Sequence, residues 1–144
     1  MEPPEAVAVI DSLARLLEAA RPPGLVSAYL FGSYAAGRAH RESDVDVGVL
    51  LDWKTFPTAP ARFEERVRLA GRLPGELGIR QVDVVVLNDA PPHLGRRIVT
   101  RGRRVYCSDA EADHACVRDV QLRAADLEPF LRSTRRLKLA ALAR

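Results

Sequence analysis

Three aspartates and a Gly-Ser pair are the residues of this sequence whose types and spacing could do chemistry. Ten residues separate the pair Gly32-Ser33 from Asp44, which is followed by Val45 and Asp46. In an extended strand, residues two apart project from the same face, so Asp44 and Asp46 are expected to point together. Magnesium accepts such carboxylate oxygens and keeps its remaining coordination positions for substrate phosphates. The spacing therefore predicts metal-dependent chemistry on a nucleotide.

Asp83 supplies the third carboxylate, as the only acid in an otherwise apolar run over residues 81–87. If that run is a strand beside the one that carries Asp46, the three aspartates form one cluster, and a charge buried among valines would be costly without a partner or a metal. Three carboxylates holding magnesium suit a two-metal in-line displacement. Gly32 and Ser33 provide the other half of the site, since backbone N–H groups at a helix N-terminus and a hydroxyl can face phosphate oxygens.

The elements that must position these residues follow from the hydrophobic pattern. Strands are predicted over residues 25–31, 44–51, 81–87 and 105–107, and helices over residues 5–21, 61–73 and 93–100. A short helical piece and a polar loop are expected between Ser33 and Asp44. The prediction is a small mixed β-sheet flanked by helices, of the α/β (α+β) class. Residues 1–144 are expected to form a single domain, which is a usual size for one.

Several finer expectations concern the helices. In the helix of residues 61–73, Phe63, Val67 and Ala70 are expected to face inward. Pro74-Gly75 and Gly78 are expected to break the helix. A capping-box sequence begins at Ser108 and starts a C-terminal helical segment of about residues 109–144. Pro129 is expected to kink or divide that segment.

The composition is that of an ordinary globular protein, with 47% hydrophobic and 28% charged residues, and disorder is not expected. No apolar run approaches the ~20 residues that span a bilayer, and the N-terminus has no signal-peptide pattern. Two cysteines make neither a disulfide framework nor a zinc motif. A soluble, cytoplasmic protein that does not enter the membrane is the expectation.

Arginine dominates the basic residues, since only two of the 22 are lysine. Residues 91–107 contain five arginines and no acid, and this set either forms a solvated face or contacts a triphosphate or a partner. Direct nucleic-acid binding is not expected, because interleaved aromatic residues and a recognisable binding module are absent. The five arginines are Arg96, Arg97, Arg101, Arg103 and Arg104.

The run from Gly32-Ser33 through ten residues to Asp44-Val45-Asp46 resembles the signature of the DNA polymerase β-type nucleotidyltransferase superfamily. More narrowly, the chain resembles the minimal nucleotidyltransferases, the MntA-like antitoxins that are paired with HEPN-domain toxins. Asp83 stands where the family's third carboxylate falls, and the total length also fits. The resemblance covers most of the chain and implies a polymerase β-like fold.

The resemblance also implies an activity, which is the Mg²⁺-dependent transfer of AMP from ATP to a hydroxyl. In the antitoxin group that hydroxyl belongs to a tyrosine of the cognate HEPN toxin. By position, Asp44 and Asp46 are implied as metal ligands and Asp83 as the third ligand or the base. Gly32 and Ser33 are implied as the phosphate-binding residues.

Two other functions stay open on the sequence. A small-molecule nucleotidyltransferase of the antibiotic-modifying kind needs an acceptor pocket, and with few residues after Ser108 a second subunit would have to supply it. A non-catalytic protein could instead mask a toxin by contact. The acceptor, the nucleotide preference, the number of AMP units and the oligomeric state, a homo-oligomer included, also stay open.

Overall fold

The computed structural model describes residues 4–32 and 45–142, with side chains described for residues 8–32 and 45–126. These residues form four strands and four helices, joined by turns and loops. The strands are β1 (Leu25–Phe31), β2 (Val45–Leu51), β3 (Val82–Val86) and β4 (Arg103–Cys107). The helices are α1 (Pro4–Ala20), α2 (Ala59–Leu77), α3 (Pro92–Arg101) and α4 (Ala110–Leu142). No helix within these described ranges is both long and apolar enough to cross a membrane.

The strands form one mixed sheet in the order β3-β2-β1-β4. β1 is antiparallel to both of its neighbours, whereas β2 and β3 are parallel. The interior strand β2 is buried along nearly its whole length, which explains its continuous apolar run. The prediction of a small mixed sheet flanked by helices is therefore confirmed.

Helices cover both faces of the sheet and create two cores. The first core joins α1 and α2 to alternate residues of β2 and β3, and the second joins α3 and α4 to the other face. Because strand residues alternate between faces, the valines of β2 belong to the first core while Asp46, Gly48 and Leu50 face the second. The valines of β2 in the first core are Val45, Val47 and Val49.

Glycines allow α3 to pack closely on its neighbours. A Cβ added at Gly48 would lie 2.8 Å from Cγ2 of Ile98, which is fully buried. On another side of the same helix, a Cβ added at Gly95 would lie 3.0 Å from Cγ1 of Val120 in α4. The contact at Gly48 fixes α3 on the sheet face that also carries Asp46.

A buried polar network joins α4 to the sheet. The Tyr29 hydroxyl donates to one carboxylate oxygen of Asp113 at 2.7 Å, and Arg104 donates to the other at 2.9 Å. Burial, followed by the hydrogen bond to Asp113, raises the pKa of Tyr29 well above its ordinary value of 10.0. Burial also raises the pKa of the neighbouring Cys116 thiol from 9.0 to about 11.

The inward face of α2 differs from the prediction. Phe63 and Val67 are 59% and 55% exposed, so the expectation that they face inward is wrong, whereas Ala70 does pack against the core. The buried position near the start of α2 is held instead by Arg62, which pairs with Asp89 through two hydrogen bonds of 2.9 and 3.0 Å. The charged side chain is buried because its guanidinium is paired, and it stacks on Trp53 with 4.7 Å to the ring centroid.

Pro74 does not break α2, contrary to prediction. The helix continues through Pro74 and Gly75 to Leu77 and ends at Gly78, which confirms the prediction for that glycine. Gly78 has a φ of 67°, and its N–H donates to the carbonyl of Pro74. Pro129 likewise lies within the single helix α4, so it does not divide the segment, and the alternative of a kink stays a prediction.

Ser108 does not cap α4. Its hydroxyl donates to the carbonyl of Leu25 at 2.7 Å, tying the end of β4 to the start of β1. The side chain of Asp109 accepts the N–H of Ala112 at 3.1 Å and takes the capping role. The capping-box prediction therefore placed the start of the helix correctly but chose the wrong side chain.

We expect Gly48→Ala to lower the free energy of unfolding by about 1–3 kcal/mol, because the new methyl group overlaps Ile98 in a packed core. Gly71→Ala in α2 is the matched control, since a Cβ there meets nothing within 4 Å. That change should stabilise the protein by about 0.5–1 kcal/mol. Urea unfolding measures both, and equal effects of the two substitutions would contradict the packing described here.

We expect the free energy of unfolding to fall as the pH rises above the ordinary thiol and phenol values of 9.0 and 10.0. Tyr29 and Cys116 keep their protons to higher pH in the folded state, so their stabilising contributions are complete below those values and are lost above them. Cys116→Ala should remove the part of the decline that begins first, and Tyr29→Phe the part that begins near pH 10. Urea unfolding across the alkaline range tests this, and unchanged profiles in both variants would disprove it.

Candidate active site

Asp46 and Asp83 lie side by side on the parallel strands β2 and β3. They are direct partners in the strand register, and their side chains share one face of the sheet. Neighbouring strands are about 4.8 Å apart, which brings both carboxylates within reach of one cation. Asp46 is half-buried and Asp83 is exposed, with Nε2 of Gln81 3.3 Å from Oδ1 of Asp83. The pair thus forms an acidic site at the amino ends of two strands, open to solvent on the Asp83 side.

The exposure of Asp83 corrects one step of the sequence analysis. Val82 and Val84 are buried on the opposite face of β3, while the Asp83 side chain reaches solvent. A solvated carboxylate carries no large desolvation cost, so burial gives no reason for a metal at this residue. What favours a cation is the proximity of two carboxylates in register.

The backbone of Gly32 lies against the Asp46 carboxylate. Phe31 is the register partner of Asp46, and Gly32 follows it with a φ of 75°. A Cβ at Gly32 would overlap Oδ2 of Asp46. Only glycine combines this left-handed conformation with so close an approach. The glycine therefore lets the Asp46 carboxylate pack against the turn that follows β1.

Two of the predicted site residues, Ser33 and Asp44, lie outside the described residues, as do the expected helical piece and loop between them. Within the ranges that are described, no group of three or more His, Cys, Asp or Glu side chains could hold a metal. The structure thus brings Gly32, Asp46 and Asp83 together, and the contribution of Ser33 and Asp44 stays a prediction.

The five arginines of residues 91–107 do not form one uniform surface. Arg104 is exposed, but its guanidinium pairs with the buried Asp113 carboxylate. This pairing was not predicted, although Tyr29 within the apolar β1 run indicated that a buried hydrogen-bond partner was needed. Arg103 pairs in register with Leu30, on the strand β4. Arg96, Arg97 and Arg101 are exposed on α3.

A cavity of about 340 Å³ lies at the other end of the sheet. Its lining includes Leu50 and Leu51 at the end of β2, whereas Asp46 lies near the beginning of that strand. Five residues of extended strand separate Asp46 from Leu51, which is about 17 Å. A group held in this cavity is therefore too far away to react at the carboxylates. Its other lining residues include Val26, Trp53, Leu87, Cys116, Val120 and Arg123.

Comparisons with known proteins point to the same chemistry. Residues 16–111 match the family model described as polymerase beta, nucleotidyltransferase. The protein adenylyltransferase MntA of Shewanella oneidensis is 33% identical over 100 residues, which cover 69% of this chain and 67% of that protein.

Solved structures share the fold over almost the whole chain. A crystal structure described as a toxin–antitoxin with AMP-PNP has a TM-score of 0.65 and 27% identity, covering 94% of this chain and 98% of that one. A structure of a tri-AMPylated Shewanella oneidensis HEPN toxin in complex with an MNT antitoxin has a TM-score of 0.60 and 23% identity, covering 96% of this chain and 99% of that one. These likenesses confirm the polymerase β-like fold.

We expect Gly32→Ala to destabilise the protein more than Gly78→Ala. Both glycines have a positive φ, so each alanine costs about 1–2 kcal/mol for the left-handed backbone. At Gly78 the Cβ enters open space, whereas at Gly32 it overlaps Asp46. Urea unfolding should show the additional cost at Gly32, and Asp46→Ala in the same chain should remove that excess. An excess that persists without the Asp46 carboxylate would disprove the contact.

Proposed function

The chain belongs to the polymerase beta nucleotidyltransferase family, and on this basis we propose that it transfers AMP from ATP to a tyrosine hydroxyl of a HEPN-domain toxin, as the antitoxin of a toxin–antitoxin pair. One observation carries the catalytic part of the proposal: Asp46 and Asp83 stand in register on adjacent strands, with Gly32 against the Asp46 carboxylate. The 33% sequence identity to a protein adenylyltransferase supports a protein as the acceptor. The similarity to a toxin–antitoxin structure with AMP-PNP supports a toxin as that protein and ATP as the nucleotide.

Magnesium fits the donor set that the structure describes. The Asp46 and Asp83 carboxylates are hard oxygen donors on adjacent strands, and the site is open to solvent on the Asp83 side. We propose Asp44 as the further ligand from its place in the sequence signature. When bound, the ion supplies positive charge that offsets the negative charge of the triphosphate.

The residues of the chain have distinct parts in the transfer. The acceptor hydroxyl oxygen bonds to the α-phosphorus of ATP while the bond from that phosphorus to the pyrophosphate oxygen breaks, so AMP is joined to the acceptor and pyrophosphate leaves. The exposed carboxylate of Asp83 is placed to accept the hydroxyl proton. We propose that the backbone N–H of Gly32 and the hydroxyl of Ser33 donate hydrogen bonds to the phosphates.

The acceptor most simply arrives on another protein. Asp83 lies at the surface, and the 340 Å³ cavity is at the far end of the sheet. An exposed acidic site suits a hydroxyl that is presented by a partner's surface. The two cysteines are free thiols, which agrees with our proposal that the protein works in the reducing cytoplasm.

The proposal is tested by incubating the protein with ATP labelled at the α-phosphate and the HEPN protein encoded beside it. We expect wild type to label the toxin and Asp46→Asn to lower the rate by at least about a hundredfold, since a charged group at the reacting phosphates is lost. Asp126→Asn is the matched control, because Asp126 is exposed on α4 away from the site. Equal labelling by wild type and Asp46→Asn would disprove the catalytic role.

The same variants separate the two other functions. A toxin-masking protein would neutralise the toxin equally well with Asp46→Asn, whereas the proposed enzyme would lose neutralisation together with labelling. Labelling of an aminoglycoside by the purified chain alone, with none on the HEPN protein, would support the small-molecule alternative.

A further inference from the structure

Two arginines of α3, Arg97 and Arg101, lie on the side of that helix that faces away from α4. Ile98 marks the face that lies on the sheet at Gly48, and Gly95 marks the side that meets α4. At about 100° per residue, Gly95 is about 60° to one side of Ile98, whereas Arg101 and Arg97 are about 60° and 100° to the other side. We call this pair the arginine flank.

The arginine flank faces the half of the sheet that carries the carboxylates. Asp113 ties α4 to Tyr29 of β1 and to Arg104 of β4. Because the strand order is β3-β2-β1-β4, the side of α3 opposite α4 is directed toward β2 and β3. Those are the strands of Asp46 and Asp83.

The end of α3 also reaches the correct end of the sheet. A Cβ added at Gly102, the residue that caps α3, would lie 2.9 Å from the carbonyl oxygen of Leu30. Leu30 is the last residue but one of β1 and is followed by Phe31, the register partner of Asp46. Arg101 therefore stands at the carboxylate end, and Arg97 stands one turn behind it.

The guanidinium groups of the arginine flank are available to a ligand. Among the side chains that the structure describes, neither Arg97 nor Arg101 makes an ion pair, and both are exposed. Their spacing of four residues puts both guanidinium groups on one side of the helix, where they can bind the same ligand. Arginines that do pair with an acid are Arg21, Arg62, Arg68, Arg72, Arg104 and Arg123.

We propose that Arg97 and Arg101 bind phosphate groups of an adenine nucleotide held at the Asp46–Asp83 site. The inference rests on the proposed function for the identity of the nucleotide. The phosphates have two sources, the triphosphate of incoming ATP or the phosphate of an AMP unit already joined to the acceptor. In both cases the arginines position the ligand through paired hydrogen bonds and take no part in making or breaking bonds.

The first arm of the test measures binding without any acceptor. We expect the double variant Arg97→Gln/Arg101→Gln to bind ATP about tenfold more weakly than wild type, and adenosine equally well, because only ATP carries phosphates. Arg66→Gln is the matched control, since Arg66 is exposed on α2 across the sheet. Added salt should weaken ATP binding to wild type more than to the double variant. Calorimetry measures these affinities, and thermal unfolding confirms that each variant is folded.

The second arm compares the rate of adding AMP to an unmodified acceptor with the rate on an acceptor that already carries one AMP. Weaker ATP binding in the double variant supports the triphosphate as the source. Unchanged ATP binding with a selective loss of the second addition supports the attached AMP. If the double variant matches Arg66→Gln in both arms, the inference is overturned. The first arm needs no transfer. If wild type labels no acceptor, the proposed function fails and this arm decides alone: weaker ATP binding in the double variant supports the inference, and unchanged binding overturns it.

Discussion

The register between β2 and β3 places two negative charges directly opposite each other, and much of the structure serves to keep them there. Like charges at paired positions destabilise a sheet, so the Asp46–Asp83 pair works against folding. The opposite face holds the register, because a slip by one residue would carry Val45, Val47 and Val49 out of the first core. The hydrophobic core thus maintains an electrostatic arrangement that the carboxylates alone would not adopt.

The second core adapts its packing to the same site. Gly48 lets Ile98 approach the backbone of β2, and this sets α3 beside the carboxylates. Gly32 does the same for the turn after β1. At Gly48 the missing side chain lets Ile98 of α3 approach the strand, and at Gly32 it lets the Asp46 carboxylate approach the turn. The shape of the site therefore depends on residues that contribute no functional group of their own.

Local sequence patterns were enough to predict the strands and the site spacing. The apolar runs of β1, β2 and β3 are dense in residues that suit buried strands, and Asp83 interrupts one of them at a recognisable point. Asp46 and Asp83 were expected to lie close together only if their strands were neighbours. Whether β2 and β3 are neighbours depends on how the crossover through α2 returns the chain to the sheet. Sequence spacing could suggest the pairing but could not establish its register.

The errors arose where a contact distant in sequence decided the outcome. Arg62 is buried because Asp89 follows 27 residues later, and this turns Phe63 toward solvent. Ser108 does not cap α4 because its hydroxyl donates to the carbonyl of Leu25.

The helices α2 and α3 both end at the carboxylate end of the sheet, just before β3 and β4. Their carbonyl ends carry about half a negative elementary charge each, which adds to that of Asp46 and Asp83. Many phosphate sites place a helix N-terminus at the anion, but the described ends here are of the opposite polarity. A triphosphate that approaches α2 and α3 at this edge is repelled by the negative potential. It can bind there only together with cations that offset this charge.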